Sequence, residues 1–153
     1  MTILVDTNVW LRSSQPDHPQ HHDASAATES LLGGGHKLAI APQVLYEFWA
    51  VATRPITANG LGFSASRADA EVTRIHHVSS LHDDDSGILP LWRSVVVQYQ
   101  VLGKKAHDAR LVAAMLRHHV THLLTFNERD FVKYGEVTVI TPAAALNFPR
   151  TME

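Results

Sequence analysis

Acidic residues recur along this chain at the ends of apolar runs or inside them. Asp6 closes Ile3-Leu4-Val5 and leads into Thr7-Asn8. Glu47 interrupts Val44-Leu45-Tyr46-Glu47-Phe48-Trp49. Asp108 precedes Leu111-Val112-Ala113-Ala114-Met115-Leu116, and Asn127 and Asp130 follow Leu123-Leu124-Thr125. A carboxylate in such a setting loses hydration and needs a compensating partner. Several carboxylates held together also repel and raise one another's pKa. A shared divalent cation answers both problems, and Mg2+ or Mn2+ suits this donor set, because Mg2+ takes a few carboxylates and keeps several waters. The chain has no cysteine, so zinc–thiolate sites and cysteine nucleophiles are excluded while oxygen-preferring metals stay open.

Each acid also has a purely structural explanation. Asp6 can cap a helix, although Thr7 or Asn8 can cap equally well and free Asp6 for other work. Glu47 shares one helical face with Val44, Phe48 and Val51, which places it on the apolar stripe. Buried glutamate is rare unless paired, so its structural alternative is a salt bridge to Arg54 or Arg110. Asp108 lies on the stripe of Leu111, Val112 and Met115. The helix dipole favours an acid in a first turn by only ~0.3–1 kcal/mol, which explains an exposed acid better than one on a core stripe. Asn127 and Asp130 have the spacing of a capping box. Thr125, at a strand end, can orient a water or a neighbouring acid.

The elements that must position these groups can be read from the pattern. Thr2 to Val5, Lys37 to Ala41, Thr121 to Thr125 and Val137 to Ile140 are short, mostly apolar runs, as expected of buried strands. Between them lie helical stretches: from Thr7, His21 to Leu32, Pro42 to about Thr53, Ser64 to His77, about Gly87 to Val101, Ala106 to His118, a short turn at Asn127 to Phe131, and a terminal helix from Ala143. Pro42 suits a first helical position, where its missing N–H costs nothing. Gly33-Gly34-Gly35 ends the second helix. Residues 56–63 read as a loop. Alternating strands and helices predict a parallel sheet covered on both faces. Ligands of such sheets bind beyond the carboxyl ends of the strands, where Asp6 and Asn127 fall.

A length of 153 residues suits one domain, 1–153. The N-terminus has no basic segment and no long apolar run, so no signal peptide is expected, and no run approaches the ~20 residues of a membrane span. These features and the missing cysteines are compatible with the cytoplasm. The formal charge of −2 restricts any nucleic-acid site to a local patch.

The chain resembles PIN-domain ribonucleases, and among them the VapC toxins of toxin–antitoxin pairs. The segments that carry the resemblance are Ile3-Leu4-Val5-Asp6-Thr7-Asn8-Val9, Ala41-Pro42-Gln43-Val44-Leu45-Tyr46-Glu47-Phe48, Lys105-Ala106-His107-Asp108-Ala109-Arg110-Leu111-Val112-Ala113 and Leu123-Leu124-Thr125-Phe126-Asn127-Glu128-Arg129-Asp130-Phe131. They span nearly the whole chain in a fixed order. The resemblance implies a PIN-like three-layer α/β/α sandwich with a short, mainly parallel central sheet. It implies an endoribonuclease that uses Mg2+ or Mn2+ on single-stranded regions of RNA, a cognate antitoxin protein and a homodimer. By position, Asp6, Glu47 and Asp108 match the first three acids of the family's quartet. Asn127, an amide, stands where the fourth is expected, and Asp130 three residues on is the substitute. The implied roles are Asp6 and Asp108 as principal metal ligands, Glu47 as ligand or general base, and Thr7 and Thr125 as supporting groups. Lys104, Lys105, Arg110 and Arg12 are candidates for substrate phosphates, each more simply a solvated turn cation.

Other features carry less. Adjacent histidines such as His21-His22, His76-His77 and His118-His119 point about 100° apart on a helix and chelate one ion poorly. Asp83-Asp84-Asp85 lacks the spacing of a calcium loop and reads as a solvated capping turn. Tyr46, Phe48 and Trp49 read as core or dimer contacts. A signalling receiver domain would need an acidic pair after the first strand, which is absent. A catalytically weak PIN-like module that binds RNA or protein without cutting is the alternative, supported by Asn127.

Overall fold

Short runs of β-branched and aliphatic residues form the centre of the molecule. The computed structural model describes residues 1–152. Its elements, in order, are β1 (Thr2–Val5), α1 (Thr7–Ser13), α2 (His21–Gly33), β2 (Lys37–Ile40), α3 (Pro42–Thr53), α4 (Ala65–Val78), β3 (Ser79–Leu81), α5 (Ile88–Gln98), α6 (Lys105–Arg117), β4 (His122–Leu124), α7 (Glu128–Phe131), β5 (Thr138–Ile140) and α8 (Pro142–Ala145). A single 3-10 turn, Ile56–Ala58, lies in the 56–63 connection.

The five strands form one sheet in the order β3-β2-β1-β4-β5, and every pairing is parallel. The expected sheet was mainly parallel; among the described residues it is wholly so. Ile3, Leu4, Val5, Leu38, Ala39, Ile40, Leu123 and Leu124 are all buried, so both faces are covered. On one side α1 packs against α2 and α3, α3 against α4, and α2 against α8; α5 packs against α6, and α6 against α7. This is the α/β/α sandwich that the alternation of strands and helices predicts.

One strand escapes the sequence pattern. β3, Ser-Ser-Leu, continues straight from α4 and pairs with β2 through Leu38↔Ser79. It is an edge strand with an exposed Leu81 and no β-branched residue, so it carries neither the composition nor the burial signal of its neighbours. The expected helix boundaries at α5 also shorten. The chain leaves helix at Tyr99 and turns through Gln100 (φ 50°) and Gly103 (φ 60°). The triple glycine does end α2. Gly35 takes a left-handed φ of 86°, and the His36 N–H reaches back to the Leu31 carbonyl at 3.0 Å, closing a Schellman cap.

The order of the strands fixes where a site can form. The chain starts in the middle of the sheet and proceeds outward through β2 and β3. It then returns to the other side of β1 to lay down β4 and β5. The connections after β1 and β4 therefore diverge, and a crevice opens between the carboxyl ends of those two strands. The backbone there is tied tightly: Asp6 N–H donates to the Leu124 carbonyl at 3.0 Å. No helix among the described residues is long and apolar enough to cross a membrane.

The centre of the sheet should be the least forgiving part of the fold. Leu123→Ala, at a position with no exposure, is expected to lower unfolding free energy in urea by ~2–5 kcal/mol. Leu146→Ala, at a half-exposed position, should stay within about 0.5 kcal/mol. Equal effects would contradict this placement of the core.

A candidate metal centre at the switch point of the sheet

Asp6 is the first residue beyond β1 and is almost fully buried, with 8% exposure. Its carboxylate is held at both oxygens. Oδ1 accepts the Thr7 N–H at 2.8 Å, which makes Asp6 itself the cap of α1. Oδ2 accepts the Thr125 hydroxyl at 2.8 Å and the Asn8 side-chain amide at 3.2 Å. Of the three cap candidates Asp6, Thr7 and Asn8, Asp6 takes the position, and Thr7 and Asn8 do not cap. Thr7 and Asn8 are neighbours that fix Asp6 and Glu47. Asn8 also donates to Thr125 Oγ1 (3.1 Å) and accepts the Phe126 N–H (3.0 Å), so it bridges the ends of β1 and β4. Thr125, fully buried, further accepts the Asn127 N–H at 3.0 Å.

Glu47 comes from α3 and is half-buried. Its Oε2 accepts the Thr7 hydroxyl at 2.9 Å and its Oε1 accepts the Gln43 amide at 2.9 Å. Neither Arg54 nor Arg110 pairs with it. Arg110 instead donates to Asp84 (2.8 Å) and Gln43 (3.1 Å), so it is also not a free cation for phosphate. Asp108, half-buried on α6, stands in the first turn beside Leu111, Val112 and Met115, which face the core. Asp130 is half-buried on α7. Asn127 is exposed, and although it occupies the cap position of α7 its side chain makes no capping bond. The capping-box reading of Asn127 and Asp130 therefore does not hold.

The charges of these acids reach one another. Burial pushes the Asp6 carboxyl up from 3.8 to about 6; the Thr125 and Thr7 hydrogen bonds pull it down, and the charges of Glu47 and Asp108 push it further up. Burial also raises Asp108, followed by the charges of Asp130 and Glu47, while His107 and Lys105 oppose. Thus Asp6, Glu47 and Asp108 interact, and Asp130 acts on Asp108. The salt bridges among the described residues are Arg74–Glu71, Arg110–Asp84 and Arg117–Asp85. None involves Asp6, Glu47, Asp108 or Asp130. Neutral donors alone hold the oxygens of Asp6 and Glu47, and Asp108 feels the opposing charges of His107 and Lys105 without a salt bridge.

The sequence pattern missed two features near it. Gln43, buried to 8% exposure, connects Glu47 to α6 by donating to the His107 carbonyl at 2.8 Å. Nothing in a glutamine after proline marks that role. The acidic run Asp83-Asp84-Asp85 is not merely a solvated turn: Asp84 and Asp85 pair with Arg110 and Arg117 of α6. Tyr46 is exposed and Trp49 borders on exposure, whereas Phe48 is core.

The pH dependence of folding follows from Asp6. A carboxyl whose folded pKa lies above its ordinary value binds its proton more tightly in the fold than in the unfolded chain. Its stabilising contribution is complete below about pH 3.8 and is lost as pH rises through about 6. In chelator, wild type should therefore lose up to about 3 kcal/mol relative to Asp6→Asn between pH 4 and pH 7.5. Chemical denaturation of both proteins across that range checks it. Parallel curves would show that Asp6 is not a strained carboxylate.

Comparison with known proteins agrees with the fold and the family resemblance. Residues 3–137 match the PIN domain family. Ribonuclease VapC13 of Mycobacterium tuberculosis is 30% identical over 132 residues, covering 86% of this chain and 94% of that protein. Among solved structures, VapBC2 from Rickettsia felis, bound to a fragment of its promoter DNA, aligns with a TM-score of 0.70 at 12% identity, covering 92% of this chain and 98% of that one. VapC20 of Mycobacterium tuberculosis, a toxin that cleaves the sarcin–ricin loop, aligns with a TM-score of 0.63 at 16% identity, covering 86% and 95%. At such identities the structural likeness is one of fold. With the sequence match spanning most of its length, the chain belongs to the PIN-domain family, as a VapC-type member.

Proposed function

We propose that this chain is a single-domain, divalent-metal-dependent endoribonuclease, 1–153, that cleaves single-stranded regions of RNA as the toxin of a VapBC-type pair. What carries the reading is that Asp6, Glu47 and Asp108, from three separate elements, act on one another through their charges, and that none of them forms a salt bridge among the described residues. The likeness to VapC13, a ribonuclease, and to VapBC assemblies supports it. The likeness to VapBC assemblies supports a cognate antitoxin as partner; a homodimer and a cytoplasmic location are part of the same proposal.

The donor set fits Mg2+ or Mn2+: the candidate ligands are carboxylate oxygens, and burial, with the charges of Glu47 and Asp108, raises the most buried of them, Asp6, to about 6. Among the described residues no three histidines or acids stand as a ready-made cage. Asp6 and Asp108 would hold the cation directly, with Glu47 a further ligand, direct or through water. When bound, the ion supplies a Lewis acid that lowers the pKa of water and offsets charge on the scissile phosphate.

The residues of the chain do the rest. Thr125 and Asn8 fix Asp6 in one orientation. Thr7 holds one oxygen of Glu47, leaving that carboxylate positioned to accept a proton from a water as it attacks phosphorus and one P–O ester bond breaks. Asp130 completes the acidic group through its field on Asp108. Asn127, exposed and without a side-chain partner, lies at the rim. Lys104 and Lys105, exposed at the start of α6, are the cations best placed to meet phosphates. No serine or cysteine nucleophile is needed.

The binding-only alternative rests on Asn127, and one experiment separates the two. Wild type should cleave single-stranded RNA with Mn2+ or Mg2+ and stop in EDTA. Asp6→Asn and Asp108→Asn should each fall by at least about 10²-fold, Asp130→Asn should fall clearly, and Asn127→Ala and the surface control Asp69→Asn should not. A folded wild type that cuts no RNA with either metal would leave the binding module as the better reading.

A further inference from the structure

We infer that Gln43 is a positioning residue for the acidic centre, oriented in turn by the Arg110–Asp84 ion pair. The inference rests on the metal-nuclease reading and goes beyond it, because it places control of Glu47 in residues that touch neither cation nor substrate.

Gln43 and Glu47 are four residues apart on α3 and so share one face. The Gln43 amide nitrogen donates one hydrogen to Glu47 Oε1 (2.9 Å) and the other to the His107 carbonyl (2.8 Å). Its carbonyl oxygen accepts from Arg110 (3.1 Å). The pattern admits one orientation only. Arginine donates and cannot accept, while a carboxylate and a peptide carbonyl accept and cannot donate. Reversing the amide would set donor against donor at Arg110 and oxygen against oxygen at Glu47 and His107. Arg110 is itself fixed, since its second terminal nitrogen donates to Asp84 at 2.8 Å.

Two consequences follow for the site. Thr7 and Gln43 between them engage both oxygens of Glu47, so its rotation is restrained from opposite sides. Gln43 also ties α3 to the residue immediately before Asp108, and so sets the spacing between the second and third acids. The chain of contacts runs Asp84, Arg110, Gln43, then Glu47 and His107. The neighbouring pair Arg117–Asp85 joins the same loop to the same helix but has no contact with Gln43. It is an internal control for simple tethering.

The test is a double-mutant cycle on Mn2+ affinity, measured by calorimetry with Mn2+ alone, with RNA cleavage as a second readout. Gln43→Leu should weaken Mn2+ binding by about 10-fold or more, in the range that supporting residues of metal sites reach. Arg110→Met should weaken it several-fold in wild type and have little further effect in Gln43→Leu, because it acts through Gln43. Arg110→Lys should restore part of the loss, and Arg117→Met should leave affinity unchanged. Should Gln43→Leu fail to fold, the three arginine variants decide the matter alone. Unchanged affinity in Arg110→Met, fully additive losses, or an equal loss in Arg117→Met would overturn the inference while wild-type binding stands. A wild type that binds no Mn2+ would instead refute the metal-nuclease reading, and this inference with it.

Discussion

A buried carboxylate without a counter-ion is the constraint around which this molecule is arranged. Asp6 cannot move away from its position, because its own N–H continues the ladder between β1 and β4 and its side chain caps α1. Three neutral donors hold its oxygens, which sets direction but supplies no net positive charge. Burial raises the carboxyl to about 6 against the pull of the Thr125 and Thr7 hydrogen bonds, and the charges of Glu47 and Asp108 add to the rise. A fold selected for stability alone would place an arginine here or an apolar residue. Arg110 and Arg117 of α6 are committed instead to Asp84 and Asp85. The strain at the switch point is the expected signature of a centre that is completed by a ligand.

The topology explains why that centre stands where it does. In an all-parallel sheet every strand ends on the same edge, and the edge opens only where the chain reverses its direction of advance. Here that point lies between β1 and β4, so Asp6 and Thr125 become neighbours although they are 119 residues apart in sequence. The helices then deliver the remaining acids, Glu47 from α3, Asp108 from the first turn of α6 and Asp130 from α7. Each is only half-buried and so stays open to solvent.

Much of this was legible in the sequence because the signals are local. Four of the five strands announce themselves by continuous apolar, partly β-branched runs, and Pro42 and the glycine triplet mark helix ends. The acids stood out because each broke or ended an apolar stretch. What could not be read depended on long-range partners. β3 is strand only because β2 offers it an edge. Arg110 looked like a partner for Glu47 or a cation for phosphate until the loop at Asp84 folded over α6 and claimed it. Gln43 carried no mark at all, since its value lies in three neighbours drawn from three segments. Asp6 caps α1 and still turns its second oxygen to Thr125 and Asn8 at the strand ends, so the capping role does not exclude the other.

The most direct test of the account is the proton balance of Mn2+ binding. Calorimetry in buffers of different ionisation enthalpy counts the protons released as the ion enters. If the uncompensated Asp6 carboxylate is the heart of the centre, binding at pH 6 should expel roughly half a proton from that group, since its pKa is about 6. The release should approach zero by pH 8 and vanish with the affinity in Asp6→Asn. Binding that is independent of pH over this range, or that survives intact in Asp6→Asn, would contradict the account.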